Sequence, residues 1–262
     1  MNNSTMNDSI GLLICGHGAR APEAQIPFLQ WGEQLLRALH YPDGEIGFME
    51  FAQPSIPEAA RRLLAKGFHR VLVLPAFVMG ARHAREDIPA ILQALAQEPA
   101  FAGVQIDYIP GIAGHPRLFD ALAARCQEAL AEATRPPSSA HSELLLVAHG
   151  SSDVSANQAV QDLAERLAAQ HRLGQGRAAF CAVCEPRIEQ VLATPSPSLQ
   201  QQLILPFFIL PSAPVQQLYA LVDAATVQQP TIERLKGKCL MDHPLLFEAF
   251  RDIIHQKLTE PL

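Results

Sequence analysis

The sequence predicts an α/β protein built from two duplicated domains, each a small parallel β-sheet flanked by helices, with a cleft between them. Three observations carry this. Short apolar runs alternate with helix-period stretches, the chain repeats itself once along its length, and a segment rich in Pro and Ser separates the copies.

The elements follow in order. Ile10–Cys15, Glu45–Phe51, Val71–Phe77 and Val104–Ile109 read as short strands. Between them, Ala24–Leu39 carries Phe28, Leu29, Leu35, Leu36 and Leu39 at helical spacing. Ile56–Lys66 is closed by Gly67, a residue that supplies the left-handed conformation ending many helices. Ile88–Ala96 and Leu118–Ala133 complete the first set. Alternating strand and helix implies a parallel sheet covered on both faces.

The same set then recurs. Ile10–Gly18 matches Glu143–Gly150, Phe48–Ile56 matches Phe180–Ile188, Val71–Val78 matches Gln202–Ile209, and His115–Phe119 matches His243–Phe247. Four blocks in one order at nearly one offset mark a duplicated domain, since solenoid units are much shorter. The reading is a disordered polar tail over 1–9, an N-terminal domain over 10–134 carrying the active site, a linker over 135–142, and a C-terminal domain over 143–262 with a degenerate site.

Composition excludes several classes. The 262 residues are 48% hydrophobic, enough apolar material to offset the ordering entropy. The 20 Lys and Arg against 26 Asp and Glu give a net charge of −6, the wrong sign for a generic nucleic-acid coat. No apolar run reaches the roughly 18 residues of a membrane helix. Met1–Ser9 has no Lys or Arg and reads as neither signal nor transit peptide, so the expected setting is the cytoplasm. Five cysteines, an odd number, point to reduced thiols. Cys181 and Cys184 form one C-x-x-C; three apart in a strand they face opposite ways and read as core thiols.

Chemistry gathers at the strand ends, where open parallel sheets bind ligands. His17 follows the first strand between Gly16 and Gly18, which allow close approach to the backbone. Glu50 sits in an otherwise apolar strand, where a carboxylate is paired, at an edge, or placed for use. His83 stands between Arg82 and Arg85, neighbours that disfavour its imidazolium form. Two histidines and a carboxylate make an open site for a divalent transition metal. In the second copy, His149 keeps the place of His17, but Ala182 replaces Glu50 and Pro214 replaces His83. One site in the N-terminal half is therefore expected, with His149, Ser151 and Ser152 on the opposite wall. His115 and His243 each precede Pro and read as helix-start caps.

His17 with its glycines, Glu50–Glu58 and Leu74–Pro89 together resemble the sirohydrochlorin chelatases, the CbiX/SirB type of class II tetrapyrrole chelatase in its long two-domain form. The resemblance implies ATP-independent insertion of Co2+ or Fe2+ (Ni2+ in some members) into sirohydrochlorin, for cobalamin or sirohaem synthesis. It implies that the metal is substrate, that no cofactor is tightly bound, and that the tetrapyrrole lies in the cleft between halves. The family's metal-handling histidines map onto His17 and His83 and its acidic partner onto Glu50. Arg20, Arg82 and Arg85 are the candidates for the substrate's carboxylates. Nucleic acid and membrane are not expected partners, and the duplication favours a monomer.

Two rivals stand beside this. A histidine phosphatase would need an arginine before its histidine, where this chain has Gly16. A non-catalytic metal or tetrapyrrole carrier on the same fold is separated from the enzyme by metal-dependent turnover.

Overall fold

The computed structural model describes residues 10–79 and 83–260, with His83 and Ala84 described by backbone alone. The expected tail 1–9 lies outside the described residues. Strands β1 (Ile10–Gly16), β2 (Glu45–Phe48), β3 (Arg70–Pro75) and β4 (Gln105–Tyr108) form a parallel sheet in the order β2-β1-β3-β4. Strands β5 (Ser142–Ala148), β6 (Gln175–Phe180), β7 (Gln201–Pro206) and β8 (Glu233–Lys236) form a second in the order β6-β5-β7-β8. The duplicated α/β architecture expected from the sequence is the one observed.

The described residues form eight α-helices, seven between strands and one after the last: α1 (Pro22–Ala38), α2 (Ile56–Ala65), α3 (Ile88–Ala96), α4 (Pro116–Ala131), α5 (Val154–Gln170), α6 (Ile188–Ala193), α7 (Ala213–Gln228) and α8 (Pro244–Thr259). Their starts follow local chemistry. Ser55 and Glu58 form a capping box at α2, each satisfying a backbone N–H of the other. Asp153 accepts from the amides of Ser155 and Ala156 at α5. His115 and His243 cap as expected, their Nδ1 atoms accepting from the Arg117 and Leu245 amides at 3.3 Å.

In the first sheet, Leu13, Val71 and Val73 pack against Ile56, Leu63, Ile88 and Leu92 of α2 and α3. The pleat sends Leu12, Ile14, Leu72 and Leu74 to the other face, where they too are fully buried. In the second sheet Leu145, Val147 and Ile204 pack against α6 and α7 through Ile188, Val191, Leu218 and Val222.

Space divides the chain differently from sequence. Of the described residues, 10–113 and 247–260 form one compact unit and 114–246 the other. Each repeat's last helix therefore belongs largely to the unit of the other repeat's sheet. Helix α4 packs on α5, β7 and β8. Helix α8 brings Phe250 edge-on to Trp31 of α1, ring centroids 5.8 Å apart, with Phe247 at 6.4 Å. The domain spans 10–134 and 143–262 trace the duplication; the packing exchanges their final helices. Amphipathic spacing gives a helix an apolar face without saying which sheet will cover it.

Trp31 and Phe250 are both fully buried. Truncating Phe250 to Ala removes the ring against the chain's one tryptophan and is expected to cost about 3–5 kcal/mol. Urea unfolding followed by Trp31 emission measures it; an unchanged midpoint would show that α8 adds nothing to this core.

Candidate metal and tetrapyrrole site

Strand β1 has a parallel partner on each side, so the connections after β1 and β3 leave the sheet apart and open a crevice at their carboxyl ends. His17 is the first residue past β1. Beyond β2 the backbone keeps pairing for two residues: the Met49 amide donates to the Gly16 carbonyl at 3.0 Å and the Glu50 amide to the His17 carbonyl at 3.1 Å. This draws the two loops together so closely that only glycine fits at position 18. A Cβ there would lie 1.8 Å from the Glu50 carbonyl oxygen, and φ is +96°. Gln25 of α1 ties the same loop down, its Nε2 donating to the Ala19 carbonyl at 2.8 Å.

The result is a His–Glu pair. His17 Nε2 stands 3.2 Å from Glu50 Oε1, both side chains a little under half exposed. His17 Nδ1 is 3.3 Å from the Gly18 carbonyl, an acceptor, so a hydrogen bond there requires the proton on Nδ1. Nε2 then either holds a second proton against the carboxylate or turns a lone pair towards the same space as the carboxylate oxygens. The second state is a nitrogen–oxygen bite for a divalent first-row cation, and metal binding displaces the proton.

Glu50 was expected inside a strand running to Phe51; β2 instead ends at Phe48. A strand cannot run to Phe51, whose φ of +62° lies outside the β region. Such a backbone costs a bulky residue about 1–3 kcal/mol and persists where the surroundings over-determine it. Phe51 is also one of the exposed large apolar side chains, and the Arg20 guanidinium lies 4.1 Å over its ring. In the sequence Phe51 carries no signal beyond its position, between Glu50 and a proline-containing turn.

His83 opens a π-helical turn, His83–Asp87, that runs directly into α3. Such turns concentrate at functional sites. Its side chain and the whole of Arg82 lie outside the described residues. Arg85 is on the exposed side of the same turn. Among the described residues no group of three His, Cys, Asp or Glu is gathered for a metal, so the structure brings together His17 and Glu50 of the expected set.

The second unit repeats the backbone without the chemistry. The Ala182 amide donates to the His149 carbonyl at 2.8 Å, Gly150 has φ +95°, and Val183 has φ +64° at the place of Phe51. His149 is exposed. Ser151 is buried and builds the turn, its Oγ accepting from the Asp153 amide and its backbone bonded twice to Asn157; Ser152 is exposed. Cys181 and Cys184 were expected in a strand core; both lie in the bend after β6, part-buried and unbridged. Burial pushes the Cys181 thiol up to about 11, which keeps it protonated near neutral pH.

Duplicated four-stranded parallel sheets, with a His–Glu pair at the switch point of one, define a chelatase-like α/β protein. The chain belongs to the CbiX family, whose model matches residues 11–129 and again 143–257. A sirohydrochlorin ferrochelatase of Priestia megaterium is 25% identical over 76% of this chain and 72% of its own length. A sirohydrochlorin cobaltochelatase of Methanothermobacter thermautotrophicus is 34% identical over 35% of this chain and 63% of its own. The fold is shared with SirB of Bacillus subtilis solved with Fe3+, at TM-score 0.77 and 19% identity over 96% of both chains.

Gly18→Ala and Gly67→Ala test the close approach against backbone conformation alone. Both glycines have positive φ, yet a Cβ at Gly67 meets nothing within 4 Å. Gly67→Ala is expected to cost about 1–2 kcal/mol and Gly18→Ala clearly more. Equal shifts in urea midpoint would mean that the Gly18–Glu50 approach adds no constraint.

Proposed function

We propose that this chain inserts a divalent metal ion, Co2+ or Fe2+, into sirohydrochlorin without nucleotide hydrolysis, serving cobalamin or sirohaem synthesis. The observation that carries the reading is the His17–Glu50 pair, placed at the sheet's switch point in a chain of the CbiX family. The names of the curated relatives, sirohydrochlorin ferrochelatase and cobaltochelatase, support the substrate.

The reaction asks for few groups. The metal enters as M2+, two pyrrole N–H bonds break, the metal–nitrogen bonds form and two protons leave. His17 with Nε2 unprotonated holds the incoming ion beside Glu50, and His83 supplies the second imidazole. As the ion moves to the macrocycle, His17 Nε2 is freed to accept one pyrrole proton, which Glu50 receives 3.2 Å away for release to water, and the His83 imidazole, released by the ion in the same way, takes the other. Because the His17 and Glu50 side chains are near half exposed, that release to water needs no buried relay. The substrate carries many carboxylates and the chain a net charge of −6, so local cations do the recognition. Arg20, Arg82 and Arg85 have this role on the first unit. The metal is substrate throughout, and the chain acts as a monomer in the cytoplasm.

The test mixes protein anaerobically with sirohydrochlorin and Co2+ or Fe2+ and follows the absorbance of the tetrapyrrole. Insertion faster than without protein is expected, falling about 100-fold or more in His17→Ala and in Glu50→Gln. Binding of tetrapyrrole with no acceleration would replace the enzyme by a carrier.

A further inference from the structure

Arg20 is exposed, and among the described residues it forms no ion pair; its guanidinium lies over the ring of Phe51. That differs from most arginines of this unit. Arg61 reaches Glu98, Arg62 reaches Glu45 and Arg70 reaches Asp107. A guanidinium lying on an aromatic face keeps its N–H edge free for a planar anion, while its position is fixed. Phe51 is itself held out by a left-handed backbone, with its ring centroid 6.3 Å from that of His17. The second repeat keeps the left-handed backbone and an exposed side chain, but holds Val183 for Phe51, Ser152 for Arg20 and Ala182 for Glu50. The aromatic ring and the guanidinium are thus absent together from the copy that also lacks the carboxylate.

We propose that Phe51 is a specificity-determining residue of the tetrapyrrole site: its ring fixes the Arg20 guanidinium for a substrate carboxylate and offers its remaining exposed surface to the macrocycle. This rests on the tetrapyrrole reading above. An apolar ring beside a cation matches a ligand that is flat and apolar at its centre and carboxylated at its rim. A small dicarboxylate would use the fixed Arg20 and gain nothing from the ring's exposed face.

Equilibrium binding of metal-free sirohydrochlorin, followed by its absorbance, tests this with Phe51→Ala, Arg20→Ala and the double variant. Each single change is expected to weaken Kd roughly fivefold to tenfold. The double variant should be little worse than the poorer single, because the two act as one unit. In the insertion assay, KM for the tetrapyrrole should rise with Kd while kcat stays within about twofold and the KM for metal is unchanged. Phe51→Gly should lose the same binding with a thermal midpoint at or above that of the wild type, since glycine accepts the left-handed backbone; that separates a lost contact from a lost fold. Wild-type affinity in Phe51→Ala or Phe51→Gly, or single effects that simply add, would overturn the inference. If the wild type binds sirohydrochlorin without inserting metal, the enzyme reading falls and the binding cycle still decides the role of Phe51. If it binds no sirohydrochlorin, both fall.

Discussion

Two backbone hydrogen bonds, from the Met49 and Glu50 amides to the Gly16 and His17 carbonyls, set the arrangement above the first sheet. They extend the β1–β2 pairing past the end of β2 and bring a loop that would otherwise diverge down onto the residue after β1. Glu50 is left beside His17, the space for any side chain at Gly18 is removed, and the next residue must turn away through positive φ. The second unit makes the same two bonds, from Cys181 to Ala148 and from Ala182 to His149, with the same consequences at Gly150 and Val183. The scaffold is therefore independent of the chemistry it carries, because it is made from main-chain groups and two glycines.

This separation lets the two copies diverge where they do. At the carboxyl ends, side chains change while the backbone is kept. At the other end of the sheets the second unit holds a polar ladder. Glu143 accepts from Arg177 at 3.1 Å and from Gln202 at 2.9 Å, and Gln202 accepts from Arg234 at 3.0 Å. Glu143 and Gln202 are buried, so each bond replaces one that water would have made. In the first unit Glu143, Gln202 and Arg234 are matched by Gly11, Val71 and Ile106, and a Cβ at Gly11 would already meet Leu63 and Phe68 at 3.1 Å; Arg177 is matched by Glu45, which pairs with Lys66. The N-terminal copy keeps polar pairs at this end too, Lys66 with Glu45 and Arg70 with Asp107, each at 2.6 Å, but it has no buried carboxylate on the central strand.

The fold was legible because its signals are local and occur twice. Strand–helix alternation, the repeat and the caps at His115 and His243 all rest on neighbours within a few residues. The exchange of α4 and α8 between units was not legible, since an amphipathic helix ending each repeat satisfies either partner. His17 and Glu50 stood out as polar residues against apolar strands, and the match of repeat to repeat singled out Glu50 by its loss. Phe51 gave no such contrast. An apolar residue after an apolar run reads as more strand, and a left-handed φ leaves no mark when glycine is not the residue that adopts it.

A chelatase must hold its metal less firmly than its product does, and this bears on why the pair is built as it is. A structural zinc site closes four ligands around the ion and buries them. In the proposed site the described candidates for ligands are one imidazole and one carboxylate, each a little under half exposed and each with another occupation. Without metal they can hold a proton between them; when the ion departs, the same two atoms can take a proton that the macrocycle gives up. Exchange of metal for proton on one pair of atoms keeps the charge at the site from swinging widely through the cycle, which matters when the bound ligand is itself a polyanion. A deeper or more complete cage would gain affinity for the ion and lose the ability to hand it over.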